Sequence, residues 1–243
     1  MTCRSLAVVL ILVTLVVPVG CATSNVRKQV PQRLGKVVKS IADDGRETIV
    51  LLHGLARSKG SMAYLGRHLK SRGFEVVLWS YPSLQWTVEE TGRRLLEDLA
   101  YLNASERVSK LHLVGHSLGG IVARSALLYG VPSKMGRVVQ LAPPNGGSPR
   151  ARTVGAFLGK LVAPLEELSD HRESGVNQMD TLELVPVGVI AGDRDWTVPV
   201  PYTRLKGAAD HIAISSGHTF IMRDPDALRQ VEAFLRQGRF ERE

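Results

Sequence analysis

The sequence predicts an α/β fold in which a mostly parallel central sheet is covered by helices on both faces. Short apolar runs of strand length alternate with amphipathic or capped helical segments along most of the chain. Several of these runs are apolar at every position, as expected for parallel strands buried on both sides. With 243 residues, of which 44% are hydrophobic and 22% charged, the chain can build one domain with a sizeable core.

Each element follows from a local pattern. Strands are predicted at the apolar runs 48–52, 74–79, 111–114, 138–141, 186–191 and 211–214. Helices are predicted at 61–72, from the capping box Thr87–Glu90 through Leu102, at 121–128, and from Asp224 to about Phe234. The regular alternation of the two kinds of element is what predicts the layered sheet.

A G-x-S-x-G motif, Gly115-His116-Ser117-Leu118-Gly119, separates a predicted strand from a predicted helix. In that context the motif is a nucleophile elbow, a sharp turn that exposes the serine hydroxyl. Side chains two residues before and after the serine would collide, which explains the two glycines. The ring of His116 is expected to pack beside the site. Ser117 is therefore the predicted nucleophile.

A nucleophilic serine needs a base, and the base needs an orienting carboxylate. After an elbow these partners follow along the chain in the order acid, then histidine. His218 lies in the loop after the last predicted strand and is the predicted base. Asp193 and Asp195 compete for the acid role. The spacing from Gly192 and Pro199 favours Asp195, and Asp193 is expected to cap the turn through its own backbone.

Two backbone amides are predicted to stabilise an oxyanion. One is the N–H of Leu118, directly after the nucleophile and at the start of its helix. The other is the N–H of Leu55, in the loop after the first predicted strand. Gly54 lets the chain turn there so that this amide faces the site.

The motifs together resemble the α/β-hydrolase superfamily, and more narrowly its small bacterial lipase/esterase and PGAP1-like branch. The superfamily motifs are Leu52-His53-Gly54-Leu55, Gly115 to Gly119, Gly192 to Pro199 and Gly217-His218, and Leu141 to Ser148 resembles the proline-glycine-serine loop of the narrower branch. The resemblance covers about residues 47–237 and implies an α/β-hydrolase domain at 46–238. It also implies a serine carboxylic-ester hydrolase acting on a small-molecule or lipid ester. No metal or organic cofactor is implied, because the histidines and carboxylates follow triad order rather than metal-ligand spacing.

Residues 149–183 are the place for a small or minimal lid. Apolar residues at helical spacing in this segment favour a lipidic acyl chain or belong to an ordinary packed helix face, and both interpretations stay open. They are Val154, Phe157, Leu158, Leu161 and Val162.

Two alternative functions are distinguished by whether they need Ser117, Asp195 and His218. An acyltransferase or thioesterase would share the triad and differ in how far water is excluded from the acyl-enzyme. A non-catalytic envelope binding module would need no triad, so the presence of all three members disfavours it.

The N-terminus predicts export. Residues 1–21 combine Arg4, an apolar run too short for the roughly 20 residues of a bilayer-spanning helix, and a small residue before Cys21. Val19-Gly20-Cys21 resembles a bacterial lipobox, although Pro18 departs from it. The prediction is a bacterial cell-envelope protein: an outer-membrane lipoprotein anchored through a lipidated Cys21, otherwise periplasmic or secreted, or held by an uncleaved anchor. Residues 22–45 are predicted to form a polar tether.

The net charge of +8 comes from basic residues scattered along the chain. No zinc-finger or RNA-binding signature accompanies them, which argues against a nucleic-acid partner. Solvated surface charge explains the excess, and attraction to anionic lipid headgroups is compatible with it. The pattern does not determine an oligomeric state.

Overall fold

A computed structural model describes residues 41, 44–148 and 185–242 of the chain. Within these ranges six strands form one sheet: β1 Thr48–Leu52, β2 Glu75–Trp79, β3 Leu111–His116, β4 Met135–Leu141, β5 Val187–Gly192 and β6 Asp210–Ile214. The strand order is β2-β1-β3-β4-β5-β6, and each neighbouring pair is parallel. The predicted fold class is confirmed.

Helices connect the strands and cover the sheet. They are α1 Ala63–Ser71, α2 Val88–Asn103, α3 Leu118–Tyr129, α4 Val200–Thr203 and α5 Pro225–Gln237. Short 3₁₀ turns at Lys59–Met62 and Ile221–Arg223 precede α1 and α5. The sequence predicted the four longer helices but missed α4 and the 3₁₀ turns, because a single turn is too short to show a periodic pattern.

Alternating strand residues build a core on each face of the sheet. Ile49 and Leu51 of β1 pack on the side of α1 and α5, whereas Val50 and Leu52 pack on the side of α2 and α3. All four side chains are buried. This two-sided burial is why β1 is apolar at nearly every position, since neither face of the strand meets water.

Local capping fixes where two of these helices begin. The Thr87 hydroxyl accepts a hydrogen bond from the Glu90 amide at 3.1 Å, and the Glu90 carboxylate accepts one from the Thr87 amide at 2.9 Å. The predicted capping box at the start of α2 is therefore confirmed. Asp224 caps α5 by accepting from the Asp226 amide at 2.9 Å. Gly238, with φ of 76°, ends that helix.

The packed domain reaches beyond the limits that the sequence indicated. Ile41, in the predicted tether, is buried in the core on the α2 side, and its carbonyl accepts a hydrogen bond from Arg107. Phe240, past the predicted end at residue 238, packs against Phe234. The predicted signal segment 1–21 and lid 149–183 lie outside the described residues. No helix of the described ranges is both long and apolar enough to cross a bilayer.

The parallel sheet brings the predicted site residues to one edge. Because all six strands run in the same direction, their carboxyl ends and the loops that follow them lie together. The loops after β1, β3, β5 and β6 contain Leu55, Ser117, Asp195 and His218 respectively. Residues far apart in sequence thus meet at this edge.

Candidate active site

Three side chains form a hydrogen-bonded series at the carboxyl edge of the sheet. The Oγ atom of Ser117 lies 3.1 Å from Nε2 of His218. Nδ1 of His218 lies 2.7 Å from Oδ2 of Asp195. A proton on Nδ1, donated to the carboxylate, leaves Nε2 free to accept from the serine hydroxyl. The structure therefore brings together the three residues that the sequence predicted as nucleophile, base and acid.

The loop after β5 holds the Asp195 carboxylate in place. Its second oxygen, Oδ1, accepts hydrogen bonds from the amides of Thr197 and Val198, both at 2.8 Å. The prediction that Asp193 caps this turn is wrong, because Asp195 itself makes those bonds. Asp193 is exposed and its carboxylate lies 3.8 Å from Nε of Arg194. Asp195 thus uses one oxygen to hold its loop and the other to orient His218.

The acid loop and the histidine loop are joined through their backbones. The amide of Asp193 donates to Ile214 at 2.9 Å, and the amide of Arg194 donates to Ser216 at 3.1 Å. Gly192 makes this approach possible, because a Cβ atom there would lie 2.4 Å from the Ser216 carbonyl oxygen. The Asp195–His218 distance is therefore set by two strand ends bonded to one another.

The elbow has a strained geometry that only small neighbours permit. Ser117 has φ of 52° and ψ of −121°, and its amide donates to the Leu141 carbonyl at 2.8 Å. A Cβ atom on Gly115 would lie 2.4 Å from the Gly119 backbone, and one on Gly119 would lie 2.6 Å from the Leu52 carbonyl oxygen. Such a backbone costs roughly 1–3 kcal/mol and persists only where the surroundings enforce it.

The loop after β1 lies directly beside the serine. A Cβ atom on Gly54 would lie 3.3 Å from the Ser117 Cβ. The loop turns between Gly54 and Arg57, whose amide donates to the Gly54 carbonyl at 3.3 Å, and Ala56 has φ of 53°. Leu55 is half-buried within this turn. Leu118 opens α3, where the first amides of a helix have no intrahelical acceptor.

A buried aromatic pair supports this loop from below. The Tyr81 hydroxyl donates to the His53 carbonyl at 2.6 Å, and the two rings stack with centroids 4.3 Å apart. Nδ1 of His53 bonds to the Gly54 carbonyl at 3.0 Å. Burial lowers the pKa of His53, so the ring is neutral at pH 7 and acts as a structural hydrogen-bonding group.

His116 connects the elbow to the loop that contains His218 through a hydrogen bond. Its Nε2 donates to the His218 carbonyl at 2.9 Å, and the two rings lie 5.1 Å apart. Nδ1 is buried and has no partner within the described residues, and it lies close to where a Gly54 Cβ would be. Burial, with a smaller effect of nearby His218, lowers the pKa of His116 to about 3. The ring packs beside the site as a neutral donor.

The described part of the chain contains no cluster of three or more His, Cys, Asp or Glu side chains that could hold a metal ion. The polar groups at the edge of the sheet are instead used in the hydrogen-bonded series and in the loops that support it.

Comparison with known proteins agrees with this architecture. The sequence model of the α/β-hydrolase fold matches residues 47–158, a segment that includes β1, β3 and the elbow. The chain has the α/β-hydrolase fold. No curated protein sequence matches the chain significantly.

Solved structures of lipases and esterases share the fold at low identity. The mature form of a Bacillus licheniformis lipase superposes with a TM-score of 0.61 at 17% identity, covering 82% of this chain and 94% of that one. Against its propeptide form, this chain spans 52% of the length. Aspergillus fumigatus lipase B gives 0.64 at 19% identity, covering 82% and 55%. An Exiguobacterium antarcticum esterase gives 0.57 at 15%, covering 79% and 92%.

Sequence patterns pointed to Ser117, Asp195 and His218 but missed the contacts that support them. The Tyr81 bond to the His53 carbonyl and the His116 bond to the His218 carbonyl join positions 28 and 102 residues apart. No local motif marks either contact. Gly192 gives an indirect signal of the contact between the acid and histidine loops, because a glycine at the end of a buried strand indicates that another backbone segment approaches closely.

The buried state of His116 predicts a specific pH dependence of stability. Its folded-state pKa is about 3, against about 6.5 when unfolded. Between these values the unfolded chain binds the extra proton, so stability falls as the pH falls. From about pH 5.5 to pH 4, the wild type should lose about 1.4 kcal/mol per pH unit more than His116→Gln.

Urea unfolding at a series of pH values measures this difference. Glutamine keeps a donor for the His218 carbonyl but does not titrate, and the other titrating groups are the same in both proteins. Parallel pH profiles would contradict the assignment of a buried, neutral His116.

Proposed function

We propose that the protein is a serine carboxylic-ester hydrolase that acts through an acyl-enzyme. The observation that carries this proposal is the hydrogen-bonded series from Ser117 through His218 to Asp195, with the serine on a strained elbow. Lipases and esterases among the structures with this fold support the same reaction class.

In the proposed reaction, Oγ of Ser117 attacks the ester carbonyl while Nε2 of His218 takes the hydroxyl proton. The tetrahedral intermediate collapses as His218 returns that proton to the leaving alcohol. Water then enters, His218 takes its proton, and attack on the acyl-enzyme releases the acid and restores the serine. Asp195 stays ionised, holds the imidazole in the required tautomer, and stabilises the imidazolium.

The negative charge on the substrate oxygen needs fixed donors. The amides of Leu118, at the start of α3, and Leu55, in the turn against Ser117, are proposed to supply them. The first amides of a helix carry partial positive charge, and donors held in advance need no reorganisation during the reaction. One such donor typically contributes about 3 kcal/mol to transition-state stabilisation.

The substrate is proposed to carry a lipidic acyl chain. Trp196, next to the acid, is 84% exposed, and Phe220, two residues after the base, is 59% exposed. Exposed apolar side chains scattered singly are normal, so the support comes from two large aromatic residues lying beside the acid and the base of one site, where they offer apolar surface to a substrate chain. The lipase names among the comparison structures support the same substrate class.

Replacing the proposed nucleophile tests the reaction. Ser117→Ala is expected to lower kcat for p-nitrophenyl esters by about 10⁴-fold or more, because no acyl-enzyme can form. Release of p-nitrophenol from acetate to palmitate esters measures both the loss and the chain-length optimum. Ser109→Ala is the matched control, since Ser109 lies before β3 at the opposite edge of the sheet. Retained activity in Ser117→Ala would overturn the proposal, and no activity in the wild type would favour an acyltransferase.

Replacing each acid separately tests which one orients the histidine. Asp195→Asn should lower kcat by about 10⁴-fold, because an amide favours the wrong imidazole tautomer. Asp193→Asn should change kcat less than about twofold, because that carboxylate is exposed and pairs with Arg194, whereas Asp195 bonds to His218. The same ester assay compares the two. A greater loss in Asp193→Asn would refute the assignment.

The enzyme is proposed to reach the outer membrane as a lipoprotein, on the support of the apolar run and the lipobox-like Val19-Gly20-Cys21. Cys21→Ser should abolish incorporation of labelled palmitate and move the protein from the membrane fraction to the soluble fraction. Cys3→Ser, which changes the other cysteine, should do neither. Labelling that survives in Cys21→Ser would exclude this anchor.

A further inference from the structure

A cavity of about 280 Å³ opens beside the proposed oxyanion turn. It lies between the loops that follow β1 and β2, and its lining residues are Ala56, Arg57, Tyr81, Pro82, Ser83, Leu84 and Gln85. None of these residues belongs to the proposed triad. The cavity is therefore a separate feature that adjoins the site.

Arg57 gives this cavity a positive charge without an internal counterion. It is half-buried, and within residues 41, 44–148 and 185–242 its guanidinium makes no ion pair or hydrogen bond. The acidic residues that follow the Pro82–Gln85 side of the cavity, Glu89 and Glu90, are already engaged. Glu89 pairs with Arg93 at 2.9 Å, and Glu90 caps α2 through Thr87. Among the described residues that line the cavity, none carries a carboxylate.

A second polar group faces the same space. Ser83 is 4% exposed, and its hydroxyl has no hydrogen-bond partner among the described side chains and backbone groups. The neighbouring Tyr81 hydroxyl cannot donate its proton to a ligand, because it already donates to the His53 carbonyl. Leu84, which is 43% exposed, supplies an apolar rim. The side-chain donors left for a ligand are thus Arg57 and Ser83, together with the exposed amide of Gln85 at the rim.

The turn that presents Arg57 also contacts the nucleophile. Its first residue, Gly54, lies against the Cβ of Ser117, and Arg57 closes the turn through its own amide. The positive charge of Arg57 also contributes to the low pKa of buried His116, as expected for a cation near the elbow. A group held in the cavity would therefore adjoin the same turn that contacts Ser117.

We propose that this cavity is a subsite for a compact oxyanion of the substrate, a phosphate or a carboxylate, bound by Arg57 and Ser83. The inference rests on the proposed ester hydrolysis and narrows its substrate class to esters with a negative group close to the scissile bond. The planar guanidinium donates two parallel hydrogen bonds to such groups, and the serine hydroxyl adds a third donor. The volume of about 280 Å³ is large enough for such a compact group.

Two matched substrate pairs distinguish the source of the oxyanion. Oleoyl lysophosphatidic acid and monooleoylglycerol differ by a phosphate on the alcohol side. The hemisuccinate and butyrate esters of p-nitrophenol differ by a carboxylate on the acyl side. For one of the charged members, the wild type should have a kcat/KM about tenfold or more above that of the neutral partner. This gain should come from a lower KM, with kcat similar for the two substrates. A phosphate preference indicates a lipid headgroup, and a carboxylate preference indicates a dicarboxylic monoester.

Arg57→Gln should lower the charged-to-neutral ratio of kcat/KM to near one, and Arg57→Lys should restore part of it. Ser83→Ala should lower the ratio by a smaller factor. Arg67→Gln removes the same charge from the exposed face of α1 and should leave the ratio unchanged. Equal rates on both members of each pair, or a preference that survives in Arg57→Gln, would overturn the subsite and leave ester hydrolysis standing.

Calorimetric titration with glycerol phosphate and with succinate gives a readout that needs no turnover. Binding of either ion by the wild type and by Arg67→Gln, but not by Arg57→Gln, supports the subsite even if no ester is hydrolysed, in which case the proposed function alone fails. No binding of either ion, or equal binding by Arg57→Gln, would contradict the subsite.

Discussion

The close approach of three backbone segments at the elbow is the constraint on which the rest of the site depends. Gly115 and Gly119 let β3, α3 and the end of β1 meet at distances that no side chain would allow. The same contact forces Ser117 into a left-handed φ and turns its hydroxyl out of the sheet. The strain of about 1–3 kcal/mol is supported by a core buried on both faces of the strands.

The sheet order then determines how the other loops meet the serine. Because β5 and β6 are neighbours, the loops that follow them exchange backbone hydrogen bonds, and Asp195 lies opposite His218. His116 on the elbow donates to the carbonyl of His218 and ties that pair to the nucleophile. Ala56, Ser117 and Ala142 have positive φ near the ends of β1, β3 and β4, so the strain is concentrated at one edge.

Electrostatics divide this edge into two parts. Around the elbow, burial keeps His53 and His116 neutral, so their rings act as rigid hydrogen-bonding groups without adding charge next to the serine. On the other side of the proposed oxyanion turn, Arg57 lines a cavity whose described lining residues include no carboxylate. A negative substrate group in that cavity would adjoin the turn that contacts Ser117, which is the basis of the proposed discrimination by charge.

The sequence by itself determined the fold class, the position of the strands and long helices, and the order of Ser117, Asp195 and His218. These depend on local patterns: apolar runs, capping residues, and glycines around a serine. Tertiary structure alone decided that Asp195 rather than Asp193 holds the acid turn, that Ile41 joins the core, and that Arg57 lines a cavity with no carboxylate among its described residues. The reason is physical, because these features arise from contacts between loops and strands distant in the chain, and the residues on either side carry no local mark of their partner.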